Sequence, residues 1–149
     1  MTIFVGITGG IATGKSTVVM FLQKKGYKVH DSDLVVNKIY SKPNKKLFDT
    51  LKKIGLSKSI KKKKIDKSII RDEIFSNKIK KKKLEKFIHK EVRISRNLFI
   101  KKHKNKKNKI IFFDIPLLFE SKLTHICHYI ILLCAPRKTK IERVLKRKN

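Results

Sequence analysis

The 149-residue sequence has little or nothing of several residue types that mark particular classes of protein. Tryptophan is absent, and the only two cysteines, Cys127 and Cys134, lack the CxxC spacing of a zinc or redox motif. They exclude a disulfide framework and are typical of small buried side chains in a reducing compartment. No apolar run approaches the length of a membrane span, and no basic segment opens a signal peptide. These absences predict a cytoplasmic protein that is not embedded in a membrane.

Acidic residues are scarce as well, with 11 Asp and Glu against 40 Lys and Arg and a formal net charge of +29. Residues 42–109 hold 27 of the basic residues and 6 of the acids. Lysine blocks such as KKKK at 61–64 could contact the phosphates of nucleic acids or of small anions. Since Lys dominates over Arg and no aromatic residues are interleaved, we favour a solvated face over a nucleic-acid interface.

Short apolar runs alternate with helical patterns along the chain. The runs predict buried strands at 3–7, 27–30, 110–114 and 129–136, and the amphipathic patterns predict helices at 15–26, 32–41, 44–55, from about 66 to 104, and from 137 onward. Such alternation implies an α/β fold with a parallel sheet flanked by helices. We expect a single domain with a core of 1–41 and 110–149 and an inserted helical, lysine-rich subdomain at about 42–109.

The segment GGIATGKS, Gly9 to Ser16, matches the phosphate-loop pattern G-x-x-x-x-G-K-[ST] between a strand and a helix. Glycines let backbone N–H groups close around a phosphate, and the next helix adds its positive N-terminal end. Lys15 can reach the β- and γ-phosphates, Ser16 can ligate Mg²⁺, and Thr17 can touch the α-phosphate. The motif predicts a nucleoside triphosphate site formed by Gly10, Ala12, Thr13, Gly14, Lys15, Ser16 and Thr17.

Two of the few acids lie together in VHDSD, as Asp31 and Asp33, just after the second strand. Kinases need a carboxylate that holds the acceptor hydroxyl and takes its proton. A residue past the carboxyl end of that strand would face the same crevice as the phosphate loop. Asp33 could instead serve only as a helix N-cap, and the sequence leaves both interpretations open.

A third acid, Asp114, ends the third predicted strand. Carboxylates at this point in phosphate-loop proteins often support Mg²⁺ or its water shell. Asp114 could also be a turn residue before Pro116, so its role as a metal ligand is a hypothesis.

The motifs GITGGIATGKST, DSD, RDEIF (71–75), FIHKEV (87–92) and DIPLLFE (114–120), in this order, resemble the dephospho-CoA kinase family. These P-loop kinases use ATP to phosphorylate the ribose 3′-hydroxyl of dephospho-coenzyme A, the last step of coenzyme A synthesis. The resemblance implies a P-loop kinase-like sheet with Lys15 as a catalytic residue and Asp33 as the general base. It places Asp31, Arg71 and His89 near the substrate, and it implies that the acceptor pocket and lid approach involve Pro116, Leu117, Leu118, Arg143 and Arg147.

The sequence departs from the family pattern at two places. His89 is followed by Lys90 where the family has Pro, and after ERVLKRKN family members continue through a lid, a last strand and a closing helix. We expect the sequence to be a fragment of a longer product, in preference to a degenerate copy. The alternatives are another small-molecule P-loop kinase and a nucleic-acid-binding P-loop ATPase.

Overall fold

The computed structural model describes residues 1–104 and 109–146. Its strands and helices are, in chain order, β1 (Ile3–Gly9), α1 (Lys15–Lys24), β2 (Lys28–Asp31), α2 (Ser32–Ser41), α3 (Lys45–Lys53), β3 (Ile60–Lys61), β4 (Lys64–Ile65), α4 (Lys67–Ser76), α5 (Lys78–His103), β5 (Ile110–Asp114), β6 (Tyr129–Leu133) and α6 (Arg137–Leu145). The prediction of an α/β fold with a parallel sheet flanked by helices is confirmed.

The chain packs as two compact units, one made of residues 1–32 with 99–149 and the other of residues 33–98. The sequence predicted an insertion over 42–109. α2 belongs to the second unit because Val36, Ile39 and Tyr40 pack against that unit's core. The last turns of α5 belong to the first unit because Phe99 and Ile100 pack against the sheet.

The first unit contains a four-stranded, fully parallel sheet in the order β2-β5-β1-β6. Side chains alternate between its two faces, as the period of a strand requires. Phe4 and Phe113 belong to one apolar cluster, and Ile7 and Phe112 belong to the other, where α1 contributes Val19. Burying a large apolar side chain of this kind stabilises the fold by about 1.5–3 kcal/mol.

The strand β6 corrects one expectation from the sequence. Its apolar run predicted a buried strand, but Tyr129, Ile130, Ile131 and Leu132 are exposed. The reason is topological, because β6 pairs with β1 alone among residues 1–104 and 109–146 and lies at an edge of the sheet they form. The same position exposes Cys134, which the sequence had predicted to be buried, while Cys127 is half-buried.

The second unit has its own apolar core, centred on Leu47, Leu51, Leu56, Ile70 and Leu84. The lysine block at 61–64 forms a two-stranded antiparallel hairpin, β3–β4, that the sequence did not predict. Lys62 and Lys63 form its turn with positive φ angles of 45° and 63°. Turns of this type favour Gly or Asn, so two lysines gave no signal for a hairpin.

The start of α4 is fixed by Asp66. Its side chain accepts hydrogen bonds from the amides of Ser68 and Ile69 and pairs with Lys61 at 2.8 Å. The hydrogen bond from Lys61, followed by that from the Ser68 hydroxyl, holds the pKa of the Asp66 carboxyl well below its usual range. Asp66 therefore stays ionised and caps the helix.

The described helices include none that is both long enough and apolar enough to cross a bilayer.

Candidate nucleotide-binding site

The loop between β1 and α1 has the backbone that a phosphate cradle needs. Gly14 has φ +95° and Ala12 has φ +60°, so the chain turns twice through the left-handed region. A side chain at Gly9 would lie 2.6 Å from the carbonyl oxygen of Leu133 in β6, so only glycine fits there. The sequence motif is thus enforced by backbone conformation at Gly14 and by packing at Gly9.

The helix that follows the loop begins at Lys15 and leaves its N-terminus open. Gly14 is the N-cap and offers no side-chain hydrogen bond, and the first turn contains no acid. Ser16 and Thr17 are exposed in that first turn. The uncapped N–H groups and the helix dipole together favour an anion at this point.

Lys15 is paired with a carboxylate at the end of β5. Its Nζ lies 2.5 Å from Oδ1 of Asp114, and the two side chains are 13% and 6% exposed. This is a short, charge-assisted hydrogen bond in a largely water-excluded place. Asp114 is the last residue of β5, so the strand order brings it beside the loop, 99 residues away in sequence.

A second carboxylate stands next to Asp114. Asp31 is the last residue of β2 and is the register partner of Asp114 across the parallel β2–β5 pair. Register partners on neighbouring strands point to the same face of a sheet. The sequence had placed Asp31 beside Asp33, but it gave no indication that Asp31 and Asp114 are neighbours. The feature of the sequence that could have indicated this is that the segments KVHD and IIFFD both end in Asp.

The turn after β5 is tied to the strand that leads into the phosphate loop. The hydroxyl of Thr8 donates to the carbonyl oxygen of Pro116 at 2.9 Å, and the amide of Ile115 donates to Ile7 at 3.1 Å. Leu117 is exposed, whereas Leu118 is 0% exposed and packs in the core. The side chain of Leu118 therefore anchors the turn, and of the three residues predicted for the acceptor pocket, Pro116 and Leu117 reach the surface.

Arg143, near the end of α6, contacts the loop directly. Its Nη1 donates to the carbonyl oxygen of Ala12 at 3.0 Å. The hydroxyl of Thr13 donates to the carbonyl oxygen of Gly10 at 2.9 Å. Sequence reasoning connected Arg143 with the substrate and missed this contact, which spans 131 residues. Arg147, which the resemblance paired with Arg143, lies outside the described residues.

The remaining predicted site residues belong to the second unit. Asp33 is exposed at the second position of α2, and His89 is exposed on α5. Arg71 is exposed on α4, one turn before Phe75, which is 92% exposed. The motif RDEIF contains Phe75, but the sequence assigned it no role. Its helical position could have indicated its exposure, because Ile70 and Ile74 define the core-facing stripe of α4 and Phe75 falls outside it.

The described residues contain no group of three or more His, Cys, Asp or Glu side chains that could hold a metal. A nucleotide-bound Mg²⁺ does not need such a group, because it keeps several waters and takes one or two oxygen ligands from the protein. The Ser16 hydroxyl and the Asp114 carboxylate are donors of the type that it prefers. The donor set therefore fits Mg²⁺ bound together with nucleotide.

A parallel α/β sheet with a phosphate loop after β1 and a carboxylate at the end of β5 defines a P-loop kinase fold. A model of the dephospho-CoA kinase family matches residues 3–149, and the chain belongs to that family.

Relatives and solved structures agree with this assignment. The chain is 34% identical to dephospho-CoA kinase of Fusobacterium nucleatum over 96% of its own length and 72% of the relative. It is 30% identical to dephospho-CoA kinase of Bacillus anthracis over 100% of its own length and 74% of the relative. Dephospho-CoA kinase of Campylobacter jejuni superposes with a TM-score of 0.71 at 31% identity. The match covers 100% of this chain and 74% of that one. A crystal structure from Thermus thermophilus superposes with a TM-score of 0.75 at 29% identity. The match covers 98% of this chain and 72% of that one.

Proposed function

We propose that this chain transfers the γ-phosphoryl group of ATP to the ribose 3′-hydroxyl of dephospho-coenzyme A, giving coenzyme A and ADP. The observation that carries the proposal is the pairing of a complete phosphate loop, through Lys15, with Asp114 at the end of β5. Membership of the dephospho-CoA kinase family supplies the acceptor. The same membership argues against a kinase of other small molecules.

On the nucleotide side, the amides of residues 10–14 and the open N-terminus of α1 bind the phosphates. Lys15 stabilises charge on the transferring phosphoryl group, and Thr17 contacts the α-phosphate. Ser16 and Asp114 would hold Mg²⁺, which when bound screens the charge between the β- and γ-phosphates. The exposed hydroxyls of Ser16 and Thr17 and the short Lys15–Asp114 contact support these roles.

On the acceptor side, Asp33 is the general base. Its carboxylate takes the proton of the 3′-hydroxyl as that oxygen bonds to the γ-phosphorus and the bond to the β–γ bridging oxygen breaks. Its exposure in the first turn of α2 supports this role, since it leaves the carboxylate accessible. Asp31 acts beside it by orienting the substrate.

Several exposed residues suit parts of dephospho-coenzyme A. Arg71 suits the substrate's pyrophosphate, and Phe75, one turn later, suits an apolar part or a base. His89 is a further exposed contact. Pro116 and Leu117 line the acceptor pocket, with Leu118 anchoring their turn in the core. The organisation that we propose is a kinase domain with a core of 1–41 and 110–149 and an inserted helical substrate-binding subdomain at about 42–109.

The large positive charge has a use in this reaction, since both substrates are polyanions. A basic surface raises the rate at which such ligands meet the protein. We propose this role for the lysine-rich helices in preference to binding of nucleic acid. A cytoplasmic location stays a prediction.

A coupled assay of ADP release tests the proposal. ATP would be supplied with dephospho-coenzyme A, with adenosine and other nucleosides, or with a polynucleotide. We expect turnover with dephospho-coenzyme A to exceed turnover with the other acceptors by at least about 10³-fold in kcat/KM. Preferred phosphorylation of a nucleoside, or stimulation by polynucleotide alone, would replace this function with one of the alternatives.

A further inference from the structure

We propose that Arg143 is a positioning residue that holds the phosphate loop in its binding conformation before nucleotide arrives. The inference rests on the proposed function and deepens it. It concerns the contact between the guanidinium on α6 and the carbonyl oxygen of Ala12, at 3.0 Å.

The contact falls on a strained part of the loop. Ala12 is not glycine, yet it has φ +60°, a conformation that L-residues with a side chain adopt at a cost. Such a residue persists only when its surroundings fix it. Ala12 is buried, and the hydrogen bond from Arg143 is the contact that holds its carbonyl group.

The orientation of this peptide decides what the loop offers to a phosphate. A peptide unit is planar and trans, so its C=O and N–H point in opposite directions. With the Ala12 carbonyl held by Arg143, the N–H of Thr13 must point away from the guanidinium. That N–H donates to no acceptor among residues 1–104 and 109–146, so it is available to an anion.

A second side chain acts in the same sense. The Thr13 hydroxyl binds the carbonyl oxygen of Gly10 at 2.9 Å, so two loop carbonyls are occupied by side-chain donors. Occupied carbonyls leave the loop's amides to face the ligand, as an anion-binding nest requires. Arg143 lies close against the loop, because a Cβ at Gly14 would be 3.6 Å from its Nη1.

A positioning role and a direct contact with the γ-phosphate predict different effects on the affinities for ADP and ATP. A residue that shapes the loop affects every nucleotide with a β-phosphate by a similar factor. A residue that touches only the γ-phosphate affects ATP and leaves ADP unchanged. Arg143→Lys keeps a positive charge but loses the fork of the guanidinium. It should recover part of the loss by offering a single donor.

The test is calorimetric titration of Mg-ADP and Mg-ATP into the wild type, Arg143→Ala, Arg143→Lys and the control Lys138→Ala. Lys138 is an exposed cation on the same helix. We expect Arg143→Ala to weaken ADP and ATP equally, by roughly tenfold, the effect of one lost charge-assisted hydrogen bond. Arg143→Lys should lie between it and the wild type. Lys138→Ala should bind both nucleotides with wild-type affinity.

Hydrogen exchange on the nucleotide-free protein supplies the second readout. We expect the amides of residues 10–14 to exchange faster in Arg143→Ala while β1 and β5 are unchanged. Thermal melting checks the fold. If the melting temperature of Arg143→Ala is well below that of the wild type, the comparison uses Arg143→Lys instead. Unchanged ADP affinity and loop exchange in both variants, or a loss confined to ATP, would overturn the inference. A wild-type protein that binds no nucleotide would instead contradict the proposed function.

Discussion

Lys15 Nζ lies 2.5 Å from Asp114 Oδ1, so the cation of the phosphate loop forms a direct ion pair with the carboxylate at the end of β5. Both side chains are largely shielded from water, which strengthens the attraction and makes either charge costly to leave alone. The pair links the stability of the loop to its chemistry.

Replacing Lys15 by Ala should affect both activity and stability. We expect kcat to fall roughly 10²- to 10³-fold, because a charge is removed from the transferring phosphoryl group. The free energy of unfolding should fall by roughly 1–3 kcal/mol, because Asp114 is left buried without this cation. Steady-state kinetics and urea unfolding measure the two effects. A variant with normal kcat would remove Lys15 from the mechanism.

Asp33→Asn and Asp31→Asn separate the two acids after β2. If Asp33 is the base, Asp33→Asn should lower kcat by roughly 10²-fold or more with little change in ATP affinity. Asp31→Asn should act mainly on KM for dephospho-coenzyme A. Equal losses of kcat in the two variants would refute this division of roles.

Phe75→Ala tests the exposed aromatic residue on α4. A side chain that is 92% exposed contributes little to folding, so the melting temperature should stay within about 2 °C of the wild type. If Phe75 contacts the acceptor, KM for dephospho-coenzyme A should rise roughly tenfold, because apolar contact area is lost. ADP affinity is the internal control and should not change. A normal KM would remove Phe75 from the acceptor site.

The depressed pKa of Asp66 makes a prediction about pH. A carboxyl group whose folded pKa is lowered contributes stability at pH values above its unfolded pKa, and the contribution is lost as pH falls toward the folded value. Asp66→Ala should therefore lower the melting temperature at pH 7 by a few degrees. The difference from the wild type should shrink steadily below about pH 4. Melting curves from pH 7 to pH 2 measure it, and a difference independent of pH would contradict the assignment.

The salt dependence of polynucleotide binding tests the basic surface. An interface that neutralises about six phosphates would give a slope near −5 in log K against log[salt]. We expect a much shallower slope and no effect on ATP turnover. A steep slope together with stimulated ATP hydrolysis would favour a nucleic-acid-binding ATPase.

The sequence predicted those parts of the site that depend on local pattern. The phosphate loop and the position of Asp114 at the end of β5 follow from short motifs, because each depends on its own neighbours. Asp31, predicted just past the second strand, is the last residue of β2. The contacts of Lys15 with Asp114 and of Arg143 with Ala12 could not be predicted, since they depend on strand order and join residues 99 and 131 positions apart. The exposure of β6 likewise depends on its place at the sheet edge, which its apolar run does not encode.

The most direct test of the central claim is ³¹P NMR of the product formed from ATP and dephospho-coenzyme A. The account predicts a new phosphomonoester on the ribose 3′-oxygen, formed in equal amount with ADP and roughly 10²- to 10³-fold more slowly with Lys15→Ala. ADP accompanied only by inorganic phosphate, or a phosphate at another position of the acceptor, would contradict it.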